Sequence, residues 1–136
     1  MSSLRTKLSL KSANYISKHR YLELKHFCLQ YPEWKKELAS ISHGASTSLI
    51  KISGSQVEFN DPTFDISNKM SRLEEKLELV EGACEAVDLE LQLYLLEAVT
   101  KGVSYEYLRS VKEIPCGRRQ FYEKYREVFK VLDLIV

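Results

Sequence analysis

A regular spacing of apolar side chains in the middle of the chain constrains its fold more than any other feature. Seven of them follow one another at alternating steps of four and three residues, and we call them the seam: Ile66, Met70, Leu73, Leu77, Val80, Cys84 and Val87. This spacing places them on one side of an α-helix and is typical of a coiled coil. Asp61 and Pro62 precede the seam, a capping residue followed by a proline, which is a common helix start. The sequence therefore predicts one long amphipathic helix over residues 61–87.

Two surfaces are able to cover the seam. If Met70 is an a position, Lys69 and Lys76 fall at g positions, and Glu74 and Glu81 fall at e positions. Each lysine then precedes a glutamate by five residues, the spacing that pairs opposite charges between parallel helices of a dimer. On this basis the seam is the predicted dimerisation surface of a homodimer. The alternative is that the seam packs on the N-terminal helices of the same chain, and the sequence leaves both open.

Residues 1–41 have the pattern of an N-terminal helical hairpin or of a kinked pair of helices. Apolar side chains recur at helical spacing from Ala13 to Gln30, and Pro32 then marks the start of a second helix. From residue 42 to residue 60 the chain is rich in Ser and Gly and contains two short β-favouring runs. Because an isolated hairpin is marginal in water, we predict that residues 42–60 form a flexible connector.

Residues 88–136 carry the start and stop signals of three short helices. The first is predicted from Leu89 to Lys101, where Gly102 supplies the left-handed residue that commonly ends a helix. Ser104 is the predicted cap of the second helix. The inward side chains of that second helix are predicted to be Tyr105, Leu108 and Val111. The segment Ile114–Gly117 contains a proline and a glycine and is predicted to be a turn, so the whole chain is expected to be all-α.

The third helix, predicted from Arg118 to Leu132, has an apolar side and a basic side. The inner side holds Phe121, Tyr125, Val128, Phe129 and Leu132. The outer side holds the candidate DNA-reading residues Arg118, Arg119, Tyr122, Glu123 and Arg126. A helix, a turn and a basic helix are the outline of a helix-turn-helix DNA reader, in which arginine donates in pairs to phosphate and guanine edges. Candidate contacts to the DNA backbone are Lys101, Lys112, Lys124 and Lys130.

These residues also carry a resemblance to known families. Gly102 to Leu108, followed six residues later by Ile114 and then by the basic helix, is similar to the region-four helix-turn-helix of bacterial sigma factors. The chain resembles small proteins encoded by bacteriophages and prophages of Gram-positive bacteria through the signatures Tyr31–Trp34, Asp61–Thr63, Ile114–Gly117 and Phe121–Tyr122. That group resembles the phage late-gene transcriptional activators whose C-terminal half is sigma-like. The resemblance implies a DNA-binding transcription regulator in a bacterial host cell, and it is compatible with a contact to RNA polymerase.

Composition and charge narrow the location and the kind of partner. No apolar run approaches the roughly 20 residues that span a bilayer, and the N-terminus lacks a signal-peptide core, so we predict a cytoplasmic protein without membrane contact. The net charge of +1 conceals an uneven distribution. Residues 66–100 hold three Lys/Arg and eight Asp/Glu, whereas residues 101–130 hold eight and four. A basic C-terminal portion is compatible with nucleic-acid contact.

The sequence contains no motif for catalysis or for cofactor binding. A glycine-rich phosphate loop, an HExxH and a CxxC are all missing, so we predict a protein that is not an enzyme and has no cofactor. His19 and His26 share a helix face without a further ligand set, so no metal site is predicted. Cys116 lies just before the basic helix, where the helix dipole and the arginines are able to lower its pKa. With no histidine nearby to act as its base, Cys116 is predicted to be a turn residue.

Two functions of different classes follow from these patterns. The first is a dimeric DNA-binding transcription regulator that presents two copies of the basic helix to the major groove. The second is a helical protein-interaction module that binds RNA polymerase or another phage protein. An uninterrupted electropositive face on the third helix favours DNA, whereas cancellation of that face by Glu123 and Glu127 favours the interaction module.

Overall fold

A computed structural model describes residues 15–52 and 62–136, and in these ranges the chain forms six α-helices and no strand. They are α1 (Lys18–Leu29), α2 (Tyr31–Ile52), α3 (Pro62–Val87), α4 (Gln92–Lys101), α5 (Tyr105–Ser110) and α6 (Arg118–Ile135). The predicted all-α class is confirmed. None of the helices in the described ranges is both long enough and apolar enough to cross a bilayer.

Local signals in the sequence end α4, cap α5 and precede α6 where they were predicted to do so. Gly102 has a left-handed conformation, with φ of 71°, directly after α4. The Oγ atom of Ser104 caps α5 by accepting a hydrogen bond from the N–H of Tyr107 at 3.1 Å. Pro115 and Gly117 lie in the turn that precedes α6. Each of these residues acts through its own chemistry, because glycine adopts positive φ without strain, serine caps a free N–H and proline cannot continue a helix.

Three predicted element bounds differ from the structure, and the simplest case is α6, which was predicted to end at Leu132 but continues to Ile135. The connector was predicted to begin at residue 42, but α2 continues to Ile52. That stretch contains no proline, and a single glycine costs a helix only about 1 kcal/mol, so the hydrogen-bonded turns propagate through it. The remainder of the predicted connector, residues 53–60, lies outside the described residues. The helix predicted from Leu89 begins instead at Gln92, because the Asp88 carboxylate accepts the N–H of Leu91 at 3.0 Å and forms a turn there.

The inward positions after α5 also differ from the prediction. Val111 was expected to face inward, yet it is 59% exposed. Ile114 is buried instead, and its N–H donates to the carbonyl of Leu108 at 3.1 Å. The chain reverses between them at Glu113, which has a left-handed φ of 55°. A non-glycine residue in that conformation costs about 1 kcal/mol, which the burial of one isoleucine offsets.

One hydrophobic core spans the boundary that we predicted between residues 87 and 88. Helix α3 packs mainly on α2, α6 and α4, whereas α6 packs mainly on α3 and α1. The largest fully buried side chains are Phe121, Phe129, Leu24, Leu95, Leu108 and Leu132. The last helix is therefore held by the long helix and the N-terminal helix as well as by its neighbours in sequence.

The centre of the seam is covered by the chain itself. Leu73, Leu77, Val80 and Cys84 are each 7% exposed or less in a single chain. Packing within the chain, the alternative that the sequence left open, therefore accounts for the centre of the seam. Dimerisation through the seam stays a prediction, and in this packing only its partly exposed members are accessible to a second copy: Ile66, Met70 and Val87.

The charges that flank the seam also contact the same chain. Lys69 Nζ lies 2.9 Å from a carboxylate oxygen of Glu37 in α2. Lys76 Nζ lies 5.4 Å from the ring centroid of Trp34, and Glu81 accepts a hydrogen bond from the Tyr31 hydroxyl. Three of the four charges that the sequence assigned to pairing between two helices of a dimer thus contact α2.

Candidate nucleic-acid interface

The turn before α6 is held by an aromatic contact from α5. The hydroxyl of Tyr105 donates a hydrogen bond to the carbonyl oxygen of Cys116 at 2.7 Å. The rings of Tyr105 and Phe121 lie 5.7 Å apart between centroids, and both side chains are buried. The start of α6 is therefore positioned relative to α5 by one hydrogen bond and one ring contact.

The inner side of α6 is the predicted one. Phe121, Val128, Phe129 and Leu132 are buried, and Tyr125 is half-buried. The ring of Tyr21 in α1 meets that of Phe129 edge to face at 5.0 Å. The hydroxyls of Tyr21 and Tyr125 lie 3.3 Å apart, and burial raises the pKa of Tyr125 far above its ordinary value, so this phenol stays protonated. These contacts fix the rotation of α6 about its axis.

The outer side is most accessible at the first turn of α6. The side chain of Arg119 is 94% exposed, and Arg118 and Gln120 are also exposed. Sequence reasoning missed Gln120, although its amide at the start of a candidate reading helix is able to pair with adenine. Gly117 is the N-cap and provides no side-chain cap. The free N–H groups and positive dipole end of α6 thus lie beside two guanidinium groups, an arrangement that attracts anions.

Both arginines of this turn have acidic neighbours. Arg118 forms an ion pair with Glu106 in α5, and its guanidinium lies 5.7 Å from the ring centroid of Tyr105. Arg119 Nε lies 4.0 Å from a carboxylate oxygen of Glu123, one turn along α6. All four of these side chains are more than half exposed, so solvent screens the pairs strongly.

The candidate DNA-reading residues beyond the first turn of α6 are less exposed than those within it. Tyr122 and Arg126 are half-buried. The ring of Tyr122 packs edge to face on Phe121, with centroids 5.0 Å apart. Glu123 remains exposed. Of the candidate DNA-reading residues, Arg118 and Arg119 are therefore open to solvent, whereas Tyr122 and Arg126 are partly covered.

The four predicted backbone-contacting lysines have different surroundings. Lys112 Nζ lies 3.9 Å from a carboxylate oxygen of Glu97, and Lys124 Nζ lies 3.7 Å from one of Asp88. Lys101 is exposed at the end of α4, and Lys130 is half-buried. Two of the four lysines thus connect elements of the fold in the absence of a ligand.

The turn thiol has a raised pKa rather than the lowered one that the sequence suggested. Cys116 is half-buried, and the causes are burial first and then the negative charges of Asp88 and Glu90. These effects outweigh the nearby arginines, so the reactive thiolate is disfavoured. Within residues 15–52 and 62–136, no group of three or more His, Cys, Asp or Glu side chains is placed to hold a metal ion.

The chain matches no protein-family model, no curated protein and no solved structure. The resemblance to phage activators therefore stays an expectation based on motifs.

Proposed function

We propose that the protein is a DNA-binding transcription regulator of a bacteriophage or prophage, and that it inserts the first turn of α6 into the major groove. The observation that supports this most is the combination of two arginines and a glutamine at the solvent-exposed start of α6, Arg118, Arg119 and Gln120, with a buried opposite side. A reading helix needs both properties, because its rear must be rigid while its N-terminal residues reach base edges.

The side chains of this turn match the hydrogen-bonding groups of DNA. Arginine donates in pairs to guanine, glutamine pairs with adenine, and the carboxylate of Glu123 is able to accept from the amino group of cytosine. The uncapped N–H groups of α6 are suited to a backbone phosphate. In this proposal Tyr122 orients the turn by packing on Phe121, and Arg126 and the four lysines contact the backbone.

The acidic neighbours are compatible with this proposal because exposed ion pairs are weak. Such pairs contribute at most about 1 kcal/mol, so Arg118 and Arg119 are able to exchange Glu106 and Glu123 for phosphate. Lys112 and Lys124 would also have to leave Glu97 and Asp88, whose side chains are only 18% and 21% exposed, so solvent screens these two pairs less and their exchange costs more. The exchange releases counterions from DNA, so affinity should fall steeply as the salt concentration rises.

The same acidic neighbours favour the second candidate function, a protein-interaction module that binds RNA polymerase or another phage protein. Glu106 and Glu123 reduce the positive potential that a DNA reader needs at Arg118 and Arg119. In this alternative the first turn of α6 contacts a protein surface, and DNA affinity is negligible for the wild-type chain.

The test is a matched set of arginine substitutions. Arg119→Ala combined with Arg126→Ala removes two charges from α6, whereas Arg72→Ala removes an exposed arginine from α3. If the proposal is right, the double variant binds genomic DNA fragments more weakly, and the slope of log affinity against log salt falls by about 2. Arg72→Ala removes one charge outside the proposed contact surface, so its DNA affinity and its salt slope should stay close to those of the wild type.

Genomic DNA fragments that co-purify with the wild-type protein are labelled with a fluorophore. Fluorescence anisotropy with these fragments then measures the affinity and its salt dependence, and circular dichroism checks that each variant is folded. Equal DNA binding by the double variant and the wild type would remove α6 as the reading helix. Absence of wild-type DNA binding, together with binding to purified RNA polymerase that is weakened by Arg119→Ala, would support the interaction module instead.

A further inference from the structure

Two leucines project into solvent where α3 ends and α4 begins. Leu89 and Leu93 are 71% and 72% exposed. Leu91 and Leu95, which alternate with them, are buried. Residues 89–95 therefore contribute Leu91 and Leu95 to the hydrophobic core, whereas Leu89 and Leu93 do not pack in it. Leu89 and Leu93 line the same hollow, so they form one exposed apolar patch, the kind of feature that larger interaction surfaces are built from.

Leu93 lines two neighbouring hollows of the surface. The first hollow, of about 680 Å³, also contains Leu89 and Glu90 in its wall. The second, of about 490 Å³, lies between α4 and the start of α2 and contains Lys35 and Lys101. Glu97 and Lys112, which form an ion pair, line both hollows together with Leu93. An exposed leucine is thus part of two open concave surfaces that are large enough to accept a side chain from a partner.

Charge differs between the two ends of this surface. Glu90 is at the end of the first hollow, near the N-terminus of α4, and Lys101 is at the C-terminus of α4 in the wall of the second hollow. Lys35 adds a second positive charge there. A two-fold axis perpendicular to α4 reverses its direction, so it brings the acidic end of one copy toward the basic end of the other. About such an axis the surface is complementary to itself in charge.

We infer that this α4 surface, defined by Leu89, Glu90, Leu93 and Lys101, binds a second copy of the same chain in an antiparallel, two-fold arrangement. Leu93 of each copy enters a hollow of the other, and Glu90 faces Lys101 of the second copy. The interface is separate from the seam, whose centre is buried within the chain. The inference goes beyond the proposed function and does not rest on DNA binding. In the dimer Lys101 faces Glu90 of the second copy and Lys112 lines a hollow that Leu93 enters, so of the four lysines only Lys124 and Lys130 remain accessible to the DNA backbone.

The test measures molar mass without DNA, by light scattering during gel filtration and by sedimentation over a range of protein concentrations. Wild type should show a concentration-dependent dimer. Leu93→Glu should raise the dimer dissociation constant by about a hundredfold, since each of two leucines contributes at least about tenfold when buried. Leu134→Glu is the matched control, because Leu134 is 75% exposed near the end of α6 and lies outside this surface. Its dimer should be unchanged.

Charge substitutions test the antiparallel arrangement. Glu90→Lys alone and Lys101→Glu alone should each weaken the dimer, and the double substitution should restore it, because the reversed charges again face each other across the axis. The inference is overturned by a wild-type chain that stays monomeric at every concentration tested. A dimer that survives Leu93→Glu but is lost in Met70→Glu would overturn it in favour of the seam. All of these results are independent of whether the protein binds DNA.

Discussion

Removal of one hydroxyl group tests how the candidate reading helix is positioned. In Tyr105→Phe the ring remains against Phe121 and beneath Arg118, while the hydrogen bond to the carbonyl of Cys116, 2.7 Å long, is lost. A neutral hydrogen bond contributes about 0.5–1.5 kcal/mol to stability. Tyr105 is buried and Cys116 is half-buried, so water replaces the bond only in part. We expect a loss of about 1 kcal/mol in the free energy of unfolding.

Tyr107→Phe is the matched control for this substitution. Tyr107 lies in the same helix but is 38% exposed, and its hydroxyl makes no hydrogen bond to the described residues. Its replacement should change stability by less than about 0.5 kcal/mol. Tyr105→Ala, which also removes the ring, should cost about 3–5 kcal/mol.

The assay is equilibrium urea unfolding. It is followed by the fluorescence of Trp34, the chain's single tryptophan, which is buried in α2 away from the substituted site. A smaller unfolding midpoint with an unchanged slope would mean lost stability rather than an altered denatured state. If Tyr105→Phe and Tyr107→Phe have the same midpoint, the hydroxyl of Tyr105 does not hold the turn before α6.

Two further predictions concern glycines and thiols. Gly102→Ala should lower the free energy of unfolding by about 1 kcal/mol, because Gly102 has a left-handed φ of 71°. Gly82→Ala should raise it by about 0.5–1 kcal/mol, because Gly82 lies in the exposed interior of α3 and an added Cβ would meet no neighbouring atom within 4 Å. Urea midpoints of the two variants test both expectations, and shifts of the same sign would contradict them. Burial, together with the neighbouring negative charge, raises the pKa of Cys28 and of Cys84 from 9.0 to about 12. The native chain therefore keeps protons that the unfolded chain releases, so stability is complete below about pH 9 and falls toward pH 12. Unfolding free energies of the wild type should decline between about pH 9 and 11 more steeply than those of Cys28→Ala/Cys84→Ala, and parallel declines would refute a thiol origin.

The sequence predicted the helical class and several helix ends because those features depend on local chemistry. The spacing of the seam requires a helix with one apolar side. Gly102 and Ser104 act on their own backbone or on that of a residue three positions away. The buried side of α6 was predictable for the same reason, since helical periodicity alone aligns Phe121 with Val128 and Phe129.

Surroundings that involve distant residues were not predictable in the same way. The sequence gives Arg118 no acidic partner at helical spacing, but in the fold it forms an ion pair with Glu106, twelve residues earlier. The pKa of Cys116 has the opposite shift from the expected one, because Asp88 and Glu90 approach it from another turn. Glu113 has a left-handed backbone conformation, and because the chain turns there, Ile114 is buried and Val111 is exposed. A glutamate gives no sign of this conformation in the sequence, whereas a glycine would have done so.

By itself, the sequence determined that this chain is helical, that α4 ends at Gly102, that α5 is capped by Ser104 and that α6 begins at Arg118, and that residues 66–87 must bury one side. Only the tertiary structure decided what covers that side. Leu77 and Val80 are buried by the chain's own helices, and Lys69 pairs with Glu37 rather than with a second copy. The physical reason is that the hydrophobic effect has no direction, so an apolar stripe requires burial but does not specify its partner.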